Sequence, residues 1–166
     1  MKNPFLKLIM ALSLIGLFAV PSVSGTNFDN SRSLKGLKQA QVYFDVSLKD
    51  DKLLVLRMEL VDRTVKQMEE AGLDVNGVVG FRGGASRFIT QNDHYVLEEE
   101  VSNKRKIQDW VKRFSSKGIA IEQCAIAAEI LDIPTKDFLP EVTVVGNAYI
   151  SLVGYQTKGY SVVPMD

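Results

Sequence analysis

Cysteine and histidine are almost missing from the 166 residues: Cys124 and His94 are the only ones. A single cysteine forms no intramolecular disulfide, so the fold must rest on its hydrophobic core. One histidine excludes a His-rich metal site and any Cys-His pair at ligand spacing, and neither metal nor cofactor is expected. Net charge is absent as well, with 20 basic residues against 20 acidic ones. A surface without excess charge offers no footprint for nucleic acid or an acidic membrane face. No G-x-G-x-x-G follows the first strand-like run, and the stretch FRGGAS lacks the GK[ST] ending of a phosphate loop, so nucleotide binding is unsupported.

Long hydrophobic runs are also lacking. The most apolar stretch, Leu8 to Val20, is shorter than the roughly 20 residues that span a bilayer, and Pro21 ends it. Before it, Met1 to Lys7 carries two lysines and no acid; after it, Pro21 to Gly25 is small and polar. This order is that of a cleavable secretory signal over residues 1–25, with cleavage near Ser24 or Gly25. The cleavage region holds no cysteine, which excludes lipoprotein sorting, and no membrane association is expected once the signal is gone. Losing Lys2 and Lys7 leaves 18 basic residues against 20 acidic ones, a formal charge of −2. A secreted or periplasmic location follows as the expectation.

The remaining chain of roughly 140 residues suffices for one core. Residues 26–39 are polar, rich in Ser, Asn and Gly, and read as a flexible lead-in to a domain over 40–166. Ala40 to Ser47 is β-branched and aromatic, and predicts a strand that runs into a helix N-terminus at Asp50 and Asp51. Leu54, Met58, Val61, Val65 and Met68 then recur at spacings of three and four, lining one helix face that Gly72 closes. Val75 to Phe81 predicts a buried strand, followed by the longest irregular stretch, through Asn92, Asp93 and His94. Ile107, Trp110, Val111 and Phe114 mark a second helix, capped by Ser102 or Asn103 and ended by Gly118. His94, Glu98 to Glu100 and Lys104 to Lys106 are expected in solvent, and Trp110 in the core.

Ile119 to Gln123 predicts a third strand that enters Cys124 directly, with a helix from Ala125 to Leu131 halted before Pro134. Glu141 to Val145, Asn147 to Lys158 and Tyr160 to Val163 complete the series as strand, helix and strand. Strict alternation with right-handed crossovers implies an α/β three-layer sandwich, a mainly parallel five-stranded sheet with helices on both faces. The apolar runs VVGF and VTVV agree, because a sheet covered on both sides does not alternate.

Ligands of open parallel sheets bind beyond the carboxyl ends of the strands. The residues placed there are Asp45 and Ser47, Arg82 to Ser86, Gln123 and Cys124, and Gly146 and Asn147. Cys124 stands at a strand-to-helix junction, where free amides and the helix dipole favour a reactive thiolate; a buried, inert cysteine is the alternative. Arg82, Gly83 and Gly84 compose either an anion-holding loop or a plain tight turn with an exposed arginine. A hydrolase or transferase using Asp45 or Ser86 lacks any base-and-nucleophile pairing.

The stretch IEQCAIAAEILDIPTKDFLPEVTVVGNAYISLVGYQTKGYSVVP resembles the C-terminal half of DsrE/DsrF-like proteins in their small single-domain branch. VYFDVSLKDDKLLVLRMELVDRTVKQM and GLDVNGVVGFRGGASRFIT resemble the family's first strand and helix and its second strand with the glycine-containing loop. The likeness spans about residues 40 to 164 and is most specific at the cysteine followed by LP-x-V-x-VV. It implies assembly into trimers or hexamers and a cysteine that carries persulfide sulfur between donor and acceptor proteins. Cys124 matches that cysteine, and Phe81, Arg82, Gly83 and Asn147 fall on the bordering loops. The sulfur-relay members are cytoplasmic, whereas this chain carries an export signal. Two functions stand as expectations. One is a sulfur carrier using Cys124, with ligand contacts from Arg82, Gly83, Gly84, Ser86, Gln123 and Asn147. The other is a non-catalytic oligomeric module that binds a small anion or a protein, with Cys124 structural.

Overall fold

The computed structural model describes residues 29–166. The signal expected over residues 1–25 and the first residues of the lead-in lie outside the described residues. The rest of the lead-in holds a four-residue helix, α1 (Ser31–Leu34), and the first strand begins at its end.

Five strands make one sheet: β1 (Gln39–Val46), β2 (Asp74–Phe81), β3 (Ala120–Cys124), β4 (Thr143–Val145) and β5 (Ser161–Pro164). Their order is β4-β3-β2-β1-β5 and every pairing is parallel. Helices α2 (Asp51–Glu70), α3 (Val101–Ser116), α4 (Ala125–Ile130) and α5 (Ala148–Thr157) lie between them. The α/β sandwich expected from the alternation is the fold observed.

Handedness decides which helix covers which face. Strands β1 to β4 step one way across the sheet, so right-handed crossovers set α2 and α3 side by side on one face. The link from β4 to β5 runs back over three strands, which places α5 on the opposite face. Val42, Phe44 and Val46 of β1 therefore point into the main core with Leu54, Met58 and Val61 of α2 and Ile107, Val111 and Phe114 of α3. Tyr43 points the other way, its ring 5.4 Å from that of Tyr155 on α5.

Gly80 is required by this second face. A Cβ there would lie 1.8 Å from the Tyr43 hydroxyl, so the tyrosine ring occupies the space a side chain would need.

Asp50 caps α2 by accepting from the Leu53 amide at 2.8 Å. The start of α3 differs from expectation. A turn of 3-10 helix at Glu98–Glu100 precedes it, the Glu100 carboxylate accepts from the Leu97 amide, and Ser102 lies inside the helix. Asn103 does not cap either; it donates to Asp51 at 2.7 Å and ties α3 to the start of α2.

Lys104, expected in solvent, is completely buried. It donates to the Thr90 hydroxyl at 2.9 Å and to the Asn92 carbonyl, and pairs with Asp93 at 3.3 Å. Burial pushes its ammonium below the ordinary lysine range, and Asp93 opposes that shift. The physical reason is the irregular segment 82–100, which turns the Thr90 hydroxyl and the Asn92 carbonyl toward α3, where the Lys104 ammonium meets both. Gln108 serves the same segment, donating to the Thr90 carbonyl at 2.7 Å.

Candidate functional site

Four strand ends meet at the carboxyl edge of the sheet. Cys124 closes β3 and directly precedes α4, and its side chain shares the α5 face with Tyr43, Asp45, Arg82 and Glu122. A pocket of about 250 Å³ opens there, lined by Arg82, Gly83, Gly84, Cys124, Ile126, Ala127, Ile130, Leu131, Asn147 and Tyr149. Cys124 is 5% exposed and packs on Ala127 and Ala148, with the pocket in front of it.

The thiol receives one hydrogen bond. The Ala148 amide donates to Cys124 Sγ at 3.4 Å. Asn147 makes this possible by the way it caps α5: its Oδ1 accepts from the Tyr149 amide at 2.9 Å. Capping of that kind satisfies the second amide of the helix and leaves the first free for the sulfur. The helix dipole adds partial positive charge at the same point.

Three of the five N–H groups of Arg82 have partners. Its Nε and Nη2 each donate to Asp45 at 2.8 Å, a two-pronged pair. Its Nη1 reaches the Tyr149 hydroxyl at 3.5 Å, and the guanidinium carbon sits 5.2 Å from the Tyr149 ring centroid. Hydrogen bonding to Asp45 holds the guanidinium above its already high range, although partial burial opposes this. The arginine enters the pocket wall as half of a neutral pair.

The neighbouring glycines have backbone reasons to be there. Gly83 has φ of +55°, in the left-handed region that favours glycine. A Cβ on Gly84 would lie 2.5 Å from Lys49 Cβ and 2.8 Å from its Cα, so the loop after β2 and the loop after β1 are in direct contact.

Of the other residues expected here, Ser86 and Gln123 stand apart from the pocket. Both are fully buried on the main-core side, where Gln123 Nε2 donates to Ser86 Oγ and to the Cys124 carbonyl, each at 2.8 Å. They support the junction from behind. Alternation along β3 explains it: Gln123 must face opposite to Cys124.

Glu122 was not singled out as a site residue, yet it lies two positions from Cys124 on the same face. It accepts from the Tyr155 hydroxyl at 2.8 Å, while its other oxygen is buried without a protein partner. Burial, then the bond to Glu122, pushes the Tyr155 phenol up to about 12. Burial, then Glu122 and Asp45, pushes Tyr43 still higher, and its buried hydroxyl has no protein partner. Also missed were Ala148 and Tyr149, which the position of Asn147 as an N-cap would have disclosed, and Ile126 and Ile130, which helical spacing aligns on one side of α4.

Among the described residues no cluster of three or more His, Cys, Asp and Glu side chains is arranged to hold a metal ion, and no helix is long and apolar enough to cross a membrane. No curated protein matches the chain. A solved structure of a protein of unknown function, MTH1491 from Methanobacterium thermoautotrophicum, matches with a TM-score of 0.58 and 17% identity. The match covers 76% of this chain and 99% of that one, and establishes a common fold. The DsrE/DsrF-like family profile matches residues 48–165, which takes in the Asp50 cap, the Arg82 loop, Cys124 and the whole of α5. On that span the chain belongs to the DsrE/DsrF-like family, a family related to sulfur relay.

Proposed function

We propose that this protein is an exported sulfur carrier in which Cys124 accepts a sulfane sulfur, holds it as a persulfide and passes it to an acceptor protein. The observation that carries the reading is the amide of Ala148 donating to Cys124 Sγ where the thiol borders a pocket. An N–H aimed at Sγ stabilises charge on the attacking sulfur. The pocket gives a donor access to a side chain that is otherwise covered.

The export signal supports a site of action in the periplasm or beyond the cell. Assembly into trimers or hexamers is part of the proposal, and α5 supports it. Ile150 and Val153 are 71% and 64% exposed. A helix that is apolar all round belongs inside a larger body, and an apolar patch of this kind marks an interface.

One observation favours a second reading, a binding module with a structural cysteine: Cys124 packs against Ala127 and Ala148 as a small core residue would. Cyanolysis separates the two. After exposure to a sulfane donor and removal of excess reagent, cyanide should release one thiocyanate per chain from the protein and none from Cys124→Ser. Release of no thiocyanate by the unmodified protein, or an equal amount by the variant, rejects the carrier.

A further inference from the structure

We infer that the pocket beside Cys124 selects small organic persulfides with an uncharged aliphatic or aromatic group, in preference to inorganic anions such as thiosulfate. The inference rests on the reading of Cys124 as a sulfur acceptor and adds the class of donor.

Three observations carry it. The first is the wall: Ile126, Ala127, Ile130, Leu131 and Tyr149 surround the approach to the sulfur with side chains that are apolar apart from one phenol. The second is charge. Arg82 is the one cation in the lining, and Asp45 neutralises it through two 2.8 Å hydrogen bonds. Its remaining outward nitrogen faces the Tyr149 hydroxyl. The Asn147 side-chain oxygen is likewise committed, to the cap of α5. A dianion entering this space would shed water and meet no unpaired positive side chain, whereas an alkyl or aryl group would gain by leaving water.

The third is size. About 250 Å³ equals the liquid volume of roughly eight water molecules. That lies below the usual range for drug-sized ligands, about 300–1,000 Å³, and suits a short chain or a single ring.

The reaction balances without any outside oxidant or reductant. The Cys124 thiolate attacks the terminal sulfur of R–S–SH, a new S–S bond forms at Cys124, and the S–S bond of the donor breaks. Its electron pair leaves on R–S⁻, and the proton stays on the transferred sulfur. Sulfane sulfur changes carrier with no net change in oxidation state. The apolar wall holds R while the Ala148 amide steadies the charge on the Cys124 side.

The test measures the rate at which the full chain gains one sulfur on Cys124, by intact-protein mass, from three donors at equal concentration: benzyl persulfide, thiosulfate and inorganic hydrodisulfide. Benzyl persulfide should load at least tenfold faster than thiosulfate. Ala127→Phe, which fills the pocket, and Ile130→Glu, which charges its exposed rim, should each lower the ratio of benzyl persulfide to hydrodisulfide loading at least fivefold. Because Ile130 is exposed, its replacement keeps the test valid if Ala127→Phe fails to fold. Loading by thiosulfate as fast as by benzyl persulfide, or variants that do not change the ratio, overturns the donor class and leaves the carrier standing. No loading from any donor overturns both.

Discussion

Replacing Asp45 with Asn should convert the neutral wall of the pocket into a cationic one, and the size of the change follows from the ion pair. Asp45 holds Arg82 through two hydrogen bonds of 2.8 Å, with side-chain exposures of 13% and 26% respectively. Exposed pairs contribute up to about 1 kcal/mol, whereas breaking a buried pair costs about 3–5 kcal/mol. Partial exposure and the one acceptor that Asn retains put the loss near 2 kcal/mol, or a fall of roughly 5–10 °C in Tm for a domain of this size. The second consequence is selectivity. A freed guanidinium about 6 Å from an anion, at an effective dielectric near 20, is worth roughly 3 kcal/mol before screening. Solvent reaching the rim reduces that, so a fivefold to tenfold gain in thiosulfate loading is the expected outcome. Thermal unfolding followed by circular dichroism and intact-mass kinetics report the two effects. An unchanged Tm together with unchanged thiosulfate loading would refute the neutralisation of Arg82 by Asp45.

Gly80→Ala should destabilise the domain by about 2–4 kcal/mol, because the new methyl lands 1.8 Å from Tyr43 Oη and 2.3 Å from its Cζ. Adding Tyr43→Phe should not rescue it, since the ring carbons remain; denaturant melts of the single and double variants check both statements. Asp62 supports acid stability: burial alone would raise its carboxyl, but hydrogen bonds from Lys117 and Lys66 hold it below 3.8. Its contribution is therefore complete above the unfolded value and fades as pH falls through the lower folded one. Asp62→Asn should lose about 1 kcal/mol near pH 7, where its lysines still reach water, and should flatten that part of the stability profile between pH 5 and 2. Ile150→Asp combined with Val153→Asp should shift the protein to monomers in light scattering, and an unchanged mass would remove α5 from any interface.

Periodicity made the elements legible, and local chemistry made some of the site legible. Strand β2 was expected at Val75 to Phe81 and is found at Asp74–Phe81, because a run buried on both faces has few alternative placements. Cys124 was read as the strand-to-helix junction, which it is. Charge alone puts Lys104 in solvent, but its helical phase does not: it precedes Ile107 and Val111 by three and seven positions, on the inward stripe of α3. Arg82 was visible as a pocket residue but its neutralisation was not, since Asp45 lies 37 residues earlier and meets it only through the pairing of β1 with β2. Ser86 and Gln123 were placed at the right end of the sheet, but their burial behind it depends on strand alternation near a helix start, which the local sequence leaves open.

The account stands on Cys124 being a sulfur acceptor rather than a filler of the core. Intact-protein mass spectrometry of the full chain after incubation with hydrodisulfide, read with and without a reducing agent, tests this most directly. A gain of a single sulfur atom, located on Cys124 by peptide mapping, reversed by the reductant and absent in Cys124→Ser, is the predicted result. An unchanged mass, while the same thiol is alkylated only after denaturation, would contradict it.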